Sequence, residues 1–178
     1  MDEVKRSFAP IVDERTRLLV LGSLPGEESL ARSQYYANPR NHFWRLMENV
    51  LETPLVALAY PERLEALLDR QVGLWDMVGS ATRRGSLDGN IKDHVPNDVR
   101  ALAESLPFLR AVAFNGGKSA SLGTPLLRDR AELTLLPLPS SSPAYTLAFE
   151  EKLARWLRLR DFLGPSSSRR KEGGARGG

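Results

Sequence analysis

The chain has 178 residues, 42% hydrophobic and 26% charged, the profile of one water-soluble domain with room for a substantial core. It carries no cysteine and two histidines, His42 and His94, which excludes a disulfide scaffold, a zinc–cysteine or iron–sulfur centre, a cysteine nucleophile and a three-histidine metal site. Neither a bilayer-length apolar run nor an apolar signal core is present, so a cytoplasmic protein without membrane contact is expected.

The net charge of +3 invites a nucleic-acid reading, but Arg169, Arg170, Lys171 and Arg176 against Glu172 account for all of it. The rest of the chain is formally neutral. Residues 164–178 are rich in Gly, Ser and Arg and lack apolar periodicity, which predicts a disordered basic tail after a domain of residues 1–163.

Within that domain, residues 17–22 form a continuous apolar run ending in Gly22, as expected of a buried parallel strand. A helix is expected at residues 29–36 with Ser29 as its cap, and a second at residues 41–51 with Phe43, Leu46, Met47 and Val50 on one stripe. A third helix at residues 61–70 has proline in its first turn. A strand at residues 72–75, a helix at 97–105 and a strand at 110–114 follow. Then come a helix from about Lys118, a strand at 133–136 and a last helix at 144–163. Strands alternating with helices predict an α/β fold, a small parallel sheet of four strands with helices on both faces.

In such sheets ligands bind beyond the carboxyl ends of the strands. That rule selects residues 22–26, 76–79, 115–118 and 137–145, the segments whose composition is also unusual. The first, Gly22-Ser23-Leu24-Pro25-Gly26, offers a tight turn and backbone N–H groups, yet lacks a P-loop lysine and dinucleotide-fingerprint spacing. The stretch from Gln34 to Trp44 is dense in aromatics and amides, groups that sandwich a nucleobase and pair with its edges. There Asn41 reads equally as a helix cap, and Phe43 and Trp44 as core. Asn115-Gly116-Gly117-Lys118 presents an amide at a strand end. The loop Pro139-Ser140-Ser141-Ser142-Pro143-Ala144-Tyr145 carries small hydroxyls suited to phosphates. Asp76, Asp88 and Asp93 read as scattered solvated or capping acids, and no metal site is expected.

Together, in this order, these segments resemble the uracil-DNA glycosylase superfamily, and within it the hypoxanthine-DNA glycosylase branch called family 6. The resemblance runs from about Phe8 to Phe162. It rests on Leu21-Gly22-Ser23-Leu24-Pro25-Gly26, Gln34-Tyr35-Tyr36, Pro39-Arg40-Asn41 with Phe43-Trp44, Leu74-Trp75-Asp76, Gly85-Ser86-Leu87-Asp88, Phe114-Asn115-Gly116-Gly117, and Leu138-Pro139-Ser140 with Ser142-Pro143-Ala144.

The resemblance implies a three-layer α/β/α domain and a cofactor-free monomer that flips damaged nucleotides out of DNA and hydrolyses the glycosidic bond. Hypoxanthine is the implied chief substrate and uracil a second. Most branches carry a carboxylate or amide in the first motif; here Ser23 and Leu24 stand there. Either Ser23 works weakly or the polar group comes from elsewhere, and the branch assigns that role to Asn41. By the same resemblance Gly22, Leu24, Pro25, Gly26, Tyr36 or Phe43, and Asn115 meet the base. Ser140, Ser141, Ser142, Pro143, Ala144, Tyr145 and Lys118 meet DNA. Leu138 replaces the histidine that many members place before the Pro-Ser of this loop. A mismatch uracil/thymine glycosylase and a non-catalytic nucleic-acid-binding module are the competing expectations.

Overall fold

The computed structural model describes residues 4–83 and 86–166; Gly85 and the expected tail from residue 167 lie outside them. In chain order the elements are β1 (Val4–Arg6), β2 (Leu18–Gly22), α1 (Glu27–Arg32), α2 (Phe43–Leu51), α3 (Tyr60–Asp69), β3 (Val72–Asp76) and β4 (Val78–Arg83). There follow β5 (Ile91–Pro96), α4 (Val99–Ser105), β6 (Ala111–Asn115), α5 (Gly117–Leu127), β7 (Thr134–Leu138) and α6 (Phe149–Trp156), which runs into a 3₁₀ turn (Leu157–Phe162).

β2 is buried at all five positions, and the period-2 alternation of a strand sorts its side chains to two faces. Leu18 and Val20 point into one core with Phe43, Leu46 and Met47 of α2, Leu67 of α3 and Trp156 of α6. Leu19 and Leu21 enter the other, with Val99 and Ala103 of α4, Leu127 of α5, and Val112 and Phe114 of β6. A continuous apolar run is what a strand needs when helices cover both its faces. The sheet is parallel throughout, in the order β3-β2-β6-β7, as expected. The chain passes from β2 to β3 on one side, then returns to β6 on the other. That reversal opens a crevice at the carboxyl ends of β2 and β6.

Sequence reading missed a second sheet, antiparallel, in the order β1-β4-β5. Its strands carry few large apolar residues, and its small core is Leu24, Val78 and Ala81. Low hydrophobicity and two register shifts between β4 and β5 hide it from any periodicity test.

Some boundaries also move. α1 starts at Glu27 after Gly26 and stops at Ser33, whose backbone is left-handed, so residues 34–36 are not helical. Ser29 lies inside α1 and its hydroxyl accepts the Ala37 N–H at 3.0 Å instead of capping. The expected helix from residue 144 begins at Phe149, because residues 139–148 serve as a loop at the site. Gly164, assigned above to the tail, exchanges backbone and side-chain hydrogen bonds with Arg70 at 2.9 and 2.8 Å.

Gly123 in α5 lies against the Phe114 ring, where an added Cβ would collide. In a helix interior Gly→Ala ordinarily gains about 1 kcal/mol; overpacking a closed core costs about 1–3 kcal/mol. Gly123→Ala is therefore expected to lower the urea unfolding midpoint with an unchanged m-value; a raised midpoint would contradict the packing argument.

Candidate active site

A cavity of about 680 Å³ fills the crevice at the strand ends. The end of β2 forms its floor. An ideal Cβ on Gly22 would stand 2.6 Å from Asp76 Oδ1 and 3.1 Å from the Tyr36 hydroxyl oxygen, so any larger residue would drive both groups away. Ser23, Leu24, Pro25 and Gly26 continue along the wall, joined by Tyr36, Asn38, Arg40 and Asn41, and by Asn115 and residues 140–145. All five segments expected to carry chemistry thus contribute residues to one space.

The aromatic wall is Tyr36. Its backbone is left-handed (φ 56°), a state that costs a non-glycine residue about 1–3 kcal/mol and persists where the surroundings over-determine it. Those surroundings are Tyr35, whose N–H donates to the Tyr60 hydroxyl at 3.0 Å and whose carbonyl accepts the Trp44 indole N–H at 3.2 Å, and the Ser29–Ala37 bond. Phe43 stacks on Tyr36 at 3.9 Å between centroids and is fully buried against Trp44 and Trp156. Of the two aromatic candidates, then, Tyr36 lines the cavity and Phe43 backs it. Burial, and secondarily the charge of Asp76, raises the Tyr36 phenol above its ordinary range and keeps it neutral.

Asn41 accepts the Phe43 N–H on its Oδ1 at 2.9 Å. α2 begins at Phe43 with His42 in the N-cap position, so Asn41 sits one residue ahead of the cap expected of it, bonds across the helix start, and also lines the cavity. The contact fixes which end of the amide is which, and leaves the Nδ2 donors and one Oδ1 lone pair for a ligand.

Asn115, buried at the end of β6, spends most of its capacity on the protein. Its Nδ2 donates to the Tyr36 hydroxyl at 3.2 Å and to Ser141 Oγ at 2.9 Å, and its Oδ1 accepts the Ser141 N–H at 2.9 Å. Beside it Gly116 adopts φ 101°, and a Cβ there would stand 3.1 Å from Ser140 Cβ.

Within the serine loop, Ser141 is buried and its carbonyl accepts the His42 N–H at 2.9 Å. Ser141 thus anchors the loop to β6 and to the start of α2 while also lining the cavity. Ser140 and Ser142 are half-exposed, Ala144 and Tyr145 exposed, and Pro143 lines the cavity with them. Lys118, expected to meet DNA, sits in the first turn of α5 outside the lining.

Three groups take places that sequence reading did not give them. Asp76 is buried in the floor instead of solvated. Asp88 accepts the Ser23 hydroxyl at 2.6 Å. Lys152 of α6 is fully buried, with Nζ donating to the Ser142 carbonyl at 3.2 Å and lying 5.6 Å from the Tyr145 ring. Burial depresses its pKa, and burial together with Lys152 and Arg45 lowers that of His42, which stays neutral near pH 7. Asp88 follows a strand that periodicity does not detect, and a lysine on a helix reads as surface, so neither had a local signal.

The cavity's charges are unequal. Glu27, Glu28, Asp76 and Asp88 line it, with Arg40 as the cation among the lining residues. Such a field repels phosphate and favours a developing cation. Among the described residues no group of three His, Cys, Asp or Glu could hold a metal ion, and no helix is long and apolar enough to cross a membrane.

Residues 9–162 match the family model described as the uracil DNA glycosylase superfamily. A hypoxanthine DNA glycosylase of Methanosarcina acetivorans is 40% identical over 153 residues, covering 86% of this chain and 96% of the relative. One of Methanosarcina barkeri is 40% identical over 152 residues, covering 85% and 95%. A solution NMR structure of a Methanosarcina acetivorans protein assigned to the uracil DNA glycosylases superposes with a TM-score of 0.80 at 39% identity, covering 89% of this chain and 97% of that one.

Asn115→Ala removes the acceptor of the buried Ser141 N–H and the donor to Tyr36. Leaving a buried group unsatisfied costs about 1–3 kcal/mol, so the variant is expected to lose about that much stability in urea titration, a loss that a surface asparagine would not incur.

Proposed function

The chain belongs to the uracil DNA glycosylase superfamily, and from that premise we propose that it excises deaminated bases from DNA, hypoxanthine chiefly and uracil secondarily, acting as a cytoplasmic monomer. The observation that carries this reading is the acid-lined cavity, with one stacking ring and one oriented amide, at the switch point of the sheet.

Chemistry on a base inside a duplex requires the nucleotide to leave the stack, at a cost of a few kcal/mol. The cavity supplies compensation. Tyr36, supported from behind by Phe43, stacks on the extruded base, and Gly22, Leu24, Pro25 and Gly26 bound it. Asn115 fixes Tyr36 and has one Oδ1 lone pair left for a base edge. Ser140, Ser142, Pro143, Ala144 and Tyr145 contact the backbone, with the Lys152 cation beneath their loop.

Breaking the C1′–N bond sends its electron pair to the base and leaves an oxocarbenium-like sugar. The carboxylates of Asp76 and Asp88 stabilise that positive charge, while Asn41 and Ser23 hold water near C1′. An amide takes up no proton, so Asn41 contributes position, a term worth several kcal/mol when geometry is held tightly. The products are free base and an abasic site.

The test uses duplexes carrying a single deoxyinosine, deoxyuridine or thymine mismatch, followed by alkaline cleavage. Cleavage at deoxyinosine faster than at deoxyuridine, and none at the thymine mismatch, is expected; uncut duplexes throughout would overturn the reading in favour of a binding module. Asn41→Ala is expected to slow single-turnover excision by at least about 100-fold. Losing the Asn41 contact to α2 costs about 1 kcal/mol, so circular dichroism should stay native and abasic-DNA affinity should persist.

A further inference from the structure

The first motif itself carries no carboxylate, and the fold brings one to its Ser23 from another segment. Asp88 opens the 3₁₀ turn Asp88–Asn90 between β4 and β5, and accepts the Ser23 hydroxyl at 2.6 Å. That length lies in the range of charge-assisted O–H···O⁻ bonds. The segment is docked a second time, two residues earlier, where Ser86 Oγ accepts the Glu27 N–H at 3.0 Å. Ser23 and Asp88 both line the cavity.

We infer that Ser23 and Asp88 form a proton relay that serves as the general base of excision, with Asp88 a positioning and proton-accepting residue acting through Ser23. The inference rests on the glycosylase reading above. A serine hydroxyl has one proton to donate and two lone pairs. With its proton committed to Asp88, Ser23 can only accept from water, so a water held there must point a hydrogen at Oγ and turn its lone pairs elsewhere. Asn41 Nδ2 can take one of those lone pairs; the other is free for C1′.

The step then balances. The water oxygen bonds to C1′ as the C1′–N bond breaks and its electron pair leaves with the base. The water proton moves to Ser23 Oγ, and the Ser23 proton moves to Asp88 Oδ1. The departing base takes a proton from solvent, and Asp88 later returns its own to solvent. A lone serine could not do this, because its hydroxyl is too weak a base near neutral pH; the carboxylate behind it changes that.

The test is single-turnover excision from a deoxyinosine duplex at saturating enzyme, as a function of pH. Asp88→Asn keeps an oxygen that can accept the Ser23 hydroxyl, so the docked segment survives and the charge is lost. Its rate is expected to fall about 100-fold, with circular dichroism and abasic-duplex affinity preserved. The wild-type rate should decline as pH falls, and Asp88→Asn should flatten that decline. Among the described residues the other titratable groups lining the cavity are Asp76, Glu27 (paired with Lys5), Glu28, Tyr35, Tyr36 and Tyr145, with the fixed cation Arg40; these remain in both proteins, so the difference between the two profiles belongs to Asp88.

Ser23→Ala, which leaves Asp88 in place, is expected to fall to the same rate and lose the same acid limb. The double variant should be no slower than either single one. Additive losses, an unchanged acid limb in either single variant, or a wild-type rate for Asp88→Asn would overturn the relay while leaving the enzyme a glycosylase. A wild-type protein inert on every duplex would overturn the glycosylase reading itself.

Discussion

The side-chain amide of Asn115 joins walls that the backbone alone would leave independent. β6 ends at Asn115, and from there one amide reaches Tyr36 in the connection after α1 and Ser141 in the loop after β7. Ser141 in turn holds the His42 N–H, which places the start of α2 and with it Asn41. Each bond is worth about 1 kcal/mol net, but they lie in sequence, buried, where an orphaned partner costs more than a made bond gains. Tyr36, Asn41 and the loop after β7 are thereby set relative to one another by a single residue.

Charge divides between floor and rim. Carboxylates line the cavity, while the buried Lys152 lies beneath the loop after β7. The +3 of the whole chain says little about this, since a net count takes no account of position. Local placement separates an acid-lined cavity from a loop seated on a buried lysine. Coulomb energies fall with distance and are strongest away from water, so a few buried groups outweigh many exposed ones.

The glycines at the strand ends make these approaches possible. Gly22 admits Asp76 and Tyr36 to the same point, and Gly116 turns the chain under Ser140. Neither contact leaves a mark on local propensity. In the sequence both positions read as turns, and the groups that need the space come from 14 and more residues away.

Much of the fold was legible because its signals are local. The apolar run of β2, the stripe of α2 and the strand ending at Asn115 each follow from burial on one or two faces, so the parallel sheet and the four segments at its carboxyl ends could be read directly. The antiparallel sheet could not, because β4 and β5 bury little apolar surface and pair through shifted registers. With it went Asp88, whose meeting with Ser23 spans 65 positions. By itself the sequence determined the architecture and which segments converge, since hydrophobic periodicity and strand-end topology act over short spans. Which side chains face each other there, with Phe43 behind Tyr36, Ser141 turned inward and Asp88 brought to Ser23, was decided by tertiary packing, because hydrogen bonds and rings are directional and choose partners in space without regard to their separation along the chain.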